Sequence, residues 1–172
     1  MGKGGVILGL IGILLGAGGL GFGFIIWNTQ NNIQTQLTQF APQDTWHRYY
    51  EDIYDVDTTS TYLTIPNMSL SIDLGKRASI HLLFTCQAYT IGTIGRSDVT
   101  IYFYIDEIII SNPSARVGTY DGDPTTYYHS VSLQYFIEGW SVGTHNISMF
   151  VRSTVDTNSL QYCALTVQSL PV

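Results

Sequence analysis

Four histidines, two cysteines and two close pairs of aspartates are the residues of this chain whose types could do chemistry. Their spacing limits what that chemistry is. His47, His81, His129 and His145 stand apart from one another and from both cysteines. A zinc site needs several such ligands at short intervals, so no metal and no cofactor is expected. Asp55 and Asp57 in YDVDTT, and Asp121 and Asp123 in YDGDP, could offer oxygens to calcium. The later glutamate of an EF-hand loop is missing, and aspartates in turns also serve by accepting local backbone hydrogen bonds. Ser, His and Asp are all present, yet no GxSxG nucleophile elbow occurs. The sequence therefore predicts no catalytic residues and no enzyme.

Cys86 in LLFTCQA and Cys163 in QYCALTV both fall in strand-like runs. In an oxidising compartment they could form a disulfide tying an early strand to the last one; the alternative is two buried thiols. Asn67-Met68-Ser69 and Asn146-Ile147-Ser148 are N-x-S sequons, so Asn67 and Asn146 are candidate glycosylation sites. Tyr49, Tyr50, Tyr54, Tyr127 and Tyr128 could face a ligand or partner, or fill the core and subunit seams.

These residues must be positioned by two dissimilar parts. The first is residues 1–40. Gly5 to Trp27 is apolar and uncharged, long enough to cross a hydrocarbon core of about 30 Å. Gly2, Gly5, Gly9, Gly12, Gly16, Gly19 and Gly23 alternate at steps of three and four, and Ile26, Gln30, Ile33, Leu37 and Phe40 continue the same phase. That is a heptad seam. Small residues let helices pack closely in lipid, where no hydrophobic force drives them together. The expectation is one long N-terminal helix that self-associates, transmembrane or in a filament core, and continues as a polar stalk. Lys3, the only charge before Asp44, would keep the N-terminus inside and the rest outside the cell. A lone anchor or a cleaved signal is the competing reading.

The chain has 172 residues, a net charge of −6, 12% charged residues and 13% aromatics. Nucleic-acid binding needs clustered Lys and Arg, and no basic run is present, so nucleic acid is not an expected partner.

Residues 41–47, with Pro42, read as a joint, and residues 48–172 read as β. TYLTIP and MSLSIDL alternate, with Pro66-Asn67 as a turn between them. RASIHLLFTCQAYT alternates over a long run, DVTIYFYIDEIIIS offers two strands about Asp106-Glu107, and NPSARVGTYDGDPTT reads as a long loop region, with room for a short edge strand inside it. YYHSVSLQYFIEG, HNISMFVRST and LQYCALTVQSL complete about nine strands at roughly ten-residue spacing. The fold class is mainly β: an antiparallel β-sandwich or jelly roll preceded by one N-terminal α-helix.

IDLGKRASIHLLFTCQA, VTIYFYIDEIII, HSVSLQYFIEGWSVGTHNISMFVRS and the closing YCALTVQ resemble, in that order, jelly-roll heads of the C1q/TNF-like kind over residues 60–170. The resemblance implies trimeric heads with aromatic faces buried between subunits, and gives no residue-level active site to carry over. The glycine-rich helix, polar stalk and β head together resemble small archaeal surface proteins, and MGKG before GVILGL resembles the signal of archaeal type IV pilins. The expected function is structural or adhesive: a cell-membrane homo-oligomer displaying an extracellular head, with surface glycan or protein as ligand. A pilin-like filament subunit, and a carbohydrate-binding or hydrolytic surface domain, are the alternatives.

Overall fold

The computed structural model describes residues 42–57, 61–92, 96–120 and 125–172. The glycine seam, Gly2 to Phe40, lies outside the described residues, as do Asp121 and Asp123.

Pro42–Val172 forms one compact unit, with nine antiparallel strands among its described residues. They are β1 (Asp44–Tyr50), β2 (Tyr54–Val56), β3 (Leu63–Leu74), β4 (Ala78–Ile91), β5 (Ser97–Ile105), β6 (Ile108–Thr119), β7 (Thr126–Trp140), β8 (Gly143–Ser153) and β9 (Asn158–Leu170). One sheet runs β1-β9-β4-β7, with β2 also paired to β9; the other runs β3-β8-β5-β6. A five-stranded and a four-stranded sheet interleaved in this order are a jelly roll, with β2 as an addition to the eight-strand pattern.

Alternation places the core. Along β4, Ile80, Leu82, Phe84, Cys86 and Ala88 are buried while His81, Leu83, Thr85, Gln87 and Tyr89 are only partly covered. On β5 the buried set is Val99, Ile101, Phe103 and Ile105. Side chains of a strand point to opposite faces in turn. Each sheet therefore turns one face into a shared dry layer and leaves the other free.

The hairpin at Asp106-Glu107 is as the sequence predicts. Ile105 pairs with Ile108, and both central residues have positive φ, 46° and 69°. That is the two-residue turn whose twist matches its flanking strands.

Three expectations are corrected. Pro66-Asn67 does not separate two strands: β3 is continuous, and its register to β8 shifts between Thr64 and Ser69, with Asn67 at φ 58°. Buried Ile65 and Met68 on either side hold the chain in the sheet, so the insertion is absorbed as a bulge. The region from Asn112 to Thr119 is not a loop holding a short strand; it continues β6 unbroken from Ile108 to Thr119. It is an edge strand, where proline is tolerated, and Pro113 falls where the register to β5 shifts. Finally, β1 starts at Asp44, so Asp44 to His47 pair with Ser169 to Thr166 instead of forming a joint.

Glu107 occupies a left-handed position that costs a non-glycine residue about 1 kcal/mol. Glu107→Gly should therefore stabilise the domain by about that amount, read as a higher urea midpoint at unchanged slope.

Candidate functional site

The outer face of the β3-β8-β5-β6 sheet carries a charge cluster that no sequence run announces. Asp98 is 3% exposed although it belongs to the outward set of β5 with Thr100 and Tyr102. Arg116 of β6 forks onto it, with Nε donating to Oδ1 and Nη2 to Oδ2, the latter at 3.0 Å. Arg96 Nε lies 3.0 Å from Oδ1. The Asp98 amide donates to Thr154 Oγ1 at 2.8 Å, and the Thr154 amide donates to the Asp98 carbonyl at 3.0 Å. The carboxylate thus exchanges water for charge-assisted donors, the condition under which burying a charge is tolerable.

Gly118 makes room for it. A Cβ there would meet Ser97 O at 2.3 Å and Asp98 Cβ at 2.4 Å. Beside the cluster, fully buried Asn158 accepts from Ser97 Oγ at 2.9 Å and donates to Ser153 Oγ at 2.9 Å. It joins the start of β5 to the end of β8.

Arg152 of β8 completes the patch. Thr100 pairs with Arg116 on one side and with Arg152 on the other. The two arginines therefore flank one threonine across three strands, with their Cα atoms about 10 Å apart. Among the described residues no carboxylate pairs with Arg152. Two grooves meet at Arg116. One, of about 440 Å³, is lined by Arg96, Asp98, Arg116, Gly118, Thr119 and Tyr120. The other, of about 180 Å³, is lined by Thr100, Tyr102, Arg116, Arg152, Ser153 and Thr154. Aromatic side chains continue the surface beyond Tyr102: Tyr62 meets it edge-on at 5.2 Å, and Tyr104 stacks on Phe150 at 4.2 Å.

The opposite face of the sandwich differs in kind. Of the outward residues on β1, β9, β4 and β7, only Glu138 carries a formal charge; β2 adds Asp55 at one end. The rest are His47, Tyr49, His81, Leu83, Tyr89, Ile91, Tyr128, Phe136, Tyr162, Leu170 and a set of Thr, Ser, Gln and Ala. Tyr49, Tyr128 and Phe136 are 52%, 69% and 53% exposed. Tyr50 and Tyr54 instead pack against the core.

The other residues singled out fall as follows. Cys86 and Cys163 are both buried, with free thiols in this structure. They are neighbours across β4 and β9, where the register shifts and Tyr162 takes φ 52°. A hydrogen bond to Cys163, then burial, pushes the Cys86 thiol up. The thiolate that exchange chemistry needs is thereby suppressed, and the pair packs as small apolar groups. Asn67 and Asn146 are both exposed, and their sequons lie side by side: Ser69 pairs with Ser148, whose Oγ donates to Ser69 Oγ at 2.9 Å.

His145 holds the turn between β7 and β8, with Nε2 3.0 Å from Ser141 O. Its Nδ1 is 2.7 Å from Asp106 Oδ2, and Trp140 stacks on the ring at 3.9 Å. Both partners are acceptors, so both contacts are hydrogen bonds only when both ring nitrogens carry protons. Among the described residues no group of three or more His, Cys, Asp or Glu is placed to hold a metal ion.

Arg96, Asp98, Arg116 and Arg152 were not among the residues the sequence singled out. Strand parity marks Asp98 as outward, but only the register between β6, β5 and β8 brings the arginines to it.

With the fold and this geometry in hand, the class is a double-sheet jelly-roll domain. No protein-family model matches the chain, and no curated protein does. Solved structures similar to it include Eiger TNF from S. frugiperda, at 9% identity and TM-score 0.38, covering 76% of this chain and 94% of that one. The infectious bursal disease virus Gx strain structure matches at 14% identity and TM-score 0.39, covering 73% of this chain and 32% of that one. The Gt strain structure matches at 13% and 0.40, covering 76% and 34%. The chain spans about a third of the length of the two viral chains. The jelly-roll assignment itself stands on the strand order of the two sheets.

The guanidinium of Arg116, outweighing the opposing effect of burial, holds the Asp98 carboxyl below the usual carboxylate range, with Arg96 adding to it. The unfolded chain binds that proton more readily. The stabilisation is therefore full above the ordinary value near 4 and is lost as pH falls through the lower folded value. Asp98→Asn should cost about 1–2 kcal/mol at neutral pH, and its urea midpoint should fall less between pH 5 and pH 2 than the parent's. Gly118→Ala should cost about 1–3 kcal/mol by forcing β6 away from Asp98, with the same denaturation series as the measurement.

Proposed function

We propose that this chain is a cell-surface structural and adhesive protein that self-assembles and holds its jelly-roll domain outward. The observation that carries the reading is the nearly charge-free, aromatic outer face of β1, β9, β4 and β7. In a chain of net charge −6, like-charged copies repel, and this is the face on which two copies meet without opposing charges. Aromatic residues with few charges are also what the centre of a protein interface is made of.

The size of the face decides how it works. Four strands about 4.8 Å apart, sharing about ten residues at a rise near 3.3 Å, cover about 600 Å². A stable interface takes about 800 Å² from each partner. The face alone supports a transient contact, and lasting assembly needs a second one. Residues 1–40, with their apolar run and glycine seam, supply it in this reading: Gly5 to Trp27 enters lipid and the seam brings copies together. Among the described residues no helix is long and apolar enough to cross a membrane; the segment concerned lies outside them.

Mass measurement on the detergent-solubilised full chain tests both halves. The native protein should run as a discrete homo-oligomer. Gly12→Leu with Gly16→Leu should reduce it to monomer or a weak complex while the β circular-dichroism signal is kept. Leu83→Glu with Phe136→Glu should weaken the complex by at least tenfold in dissociation constant, since each places a charge in the contact. An unchanged mass for the glycine variant sinks the seam; a helical lattice in electron micrographs would make the assembly a filament.

A further inference from the structure

We propose that the groove between Arg116 and Arg152 binds the carboxylate or sulfate group of an acidic saccharide. The inference rests on the reading above only in taking the domain to stand outside the cell.

The charge balance comes first. Three guanidiniums, Arg96, Arg116 and Arg152, meet one carboxylate, Asp98, in a chain that is acidic as a whole. Among the described residues the patch is net positive. Arg116 and Arg96 have a structural partner, but Arg152 has none among the described residues. Held about 10 Å apart at the Cα atoms over Thr100, Arg116 and Arg152 can lean together above its hydroxyl. Arg116 uses Nε and Nη2 on Asp98, which fixes its plane and leaves Nη1 for a ligand. A guanidinium so braced loses little freedom on binding an oxyanion. Two donating guanidiniums and a hydroxyl around one space make an oxyanion site.

The groove's direction selects the carrier. It crosses from β6 over β5 to β8, and β5 lies between its two neighbours with its backbone paired on both sides. Its floor is side chains: Thr100, Tyr102, Ser153 and Thr154 with the two arginines. Over β5 and β8, each paired on both sides, an acidic peptide would find no free backbone edge to match its own amides; the open edge of β6 lies on the far side of Arg116. A saccharide has hydroxyls, which side-chain donors and acceptors can meet one at a time. Its apolar ring faces find Tyr102 in the smaller groove and Tyr120, 84% exposed, at the larger one. Because both grooves touch Arg116, a ligand of several sugar units can lie across them.

The test uses the full-length chain in detergent with three polymers: polygalacturonate, poly-glutamate and uncharged dextran. Polygalacturonate should bind, weaken with added NaCl, and lose at least about tenfold in affinity on Arg152→Ala or Arg152→Gln, the worth of one charge-assisted hydrogen bond. Arg152 is exposed, so both variants keep the fold, checked by circular dichroism. The proposal is overturned if polygalacturonate fails to bind, if neither variant weakens it, if dextran binds equally, or if poly-glutamate binds as tightly with the same dependence on Arg152. Oligomer mass is read on the same samples, so a failure of assembly and a failure of binding are seen separately.

Discussion

The packing of two alternating sheets against one dry layer is the constraint from which the rest of this structure follows. Phe84 of β4 and Phe103 of β5, both fully buried, come from opposite sheets into the same core. Burying each such ring contributes about 1.5–3 kcal/mol relative to leaving it exposed. Alternation then dictates that Thr85 and Tyr102, their outward neighbours, cannot join that core. Every chemical possibility of the domain is displaced to the two outer faces, and those faces are free to differ.

They do differ, and the difference lies in charge. One face holds its arginines around a sunken carboxylate; the other holds almost no charge. The buried polar residues sit where strands begin and end, not in the middle of the core. Asn158 and Ser153 gather at one end, and His145 lies near the turns of β5-β6 and β7-β8, against exposed Asp106 and partly buried Trp140. Strand ends are where backbone groups run out of ladder partners, so side chains take over that task. The only buried side-chain polar atom without a hydrogen-bond partner among the described residues is Thr119 Oγ1, at the end of edge strand β6.

Period-two patterning made most of the fold legible in the sequence. RASIHLLFTCQAYT is β4, DVTIYFYIDEIIIS is the β5-β6 hairpin, and the Asp106-Glu107 turn falls where it was expected. The failures came from residues whose meaning is positional. Pro66-Asn67 reads as a turn until the buried Ile65 and Met68 are seen to hold one strand together. Pro113 and Gly118 read as loop until β6 is known to be an edge and Gly118 is known to sit against Asp98. Cysteine spacing placed Cys86 and Cys163 on strands but carries nothing about oxidation state. The arginine site was illegible for a related reason. Arg96, Arg116 and Arg152 are far apart in the chain, and their meeting depends on register, which no local pattern encodes.

β9 lies between β1 and β4 and pairs with both, as far as Asp44 opposite Ser169. The strand at the middle of this sheet is therefore the last of the nine to leave the ribosome. Until it arrives, β1 has no partner in the sheet and β4 shows a bare edge, with their apolar sides open to water. Closure must wait on contacts of the longest sequence separation in the domain, which makes the nascent chain slow to mature and dependent on protection from its neighbours while it waits.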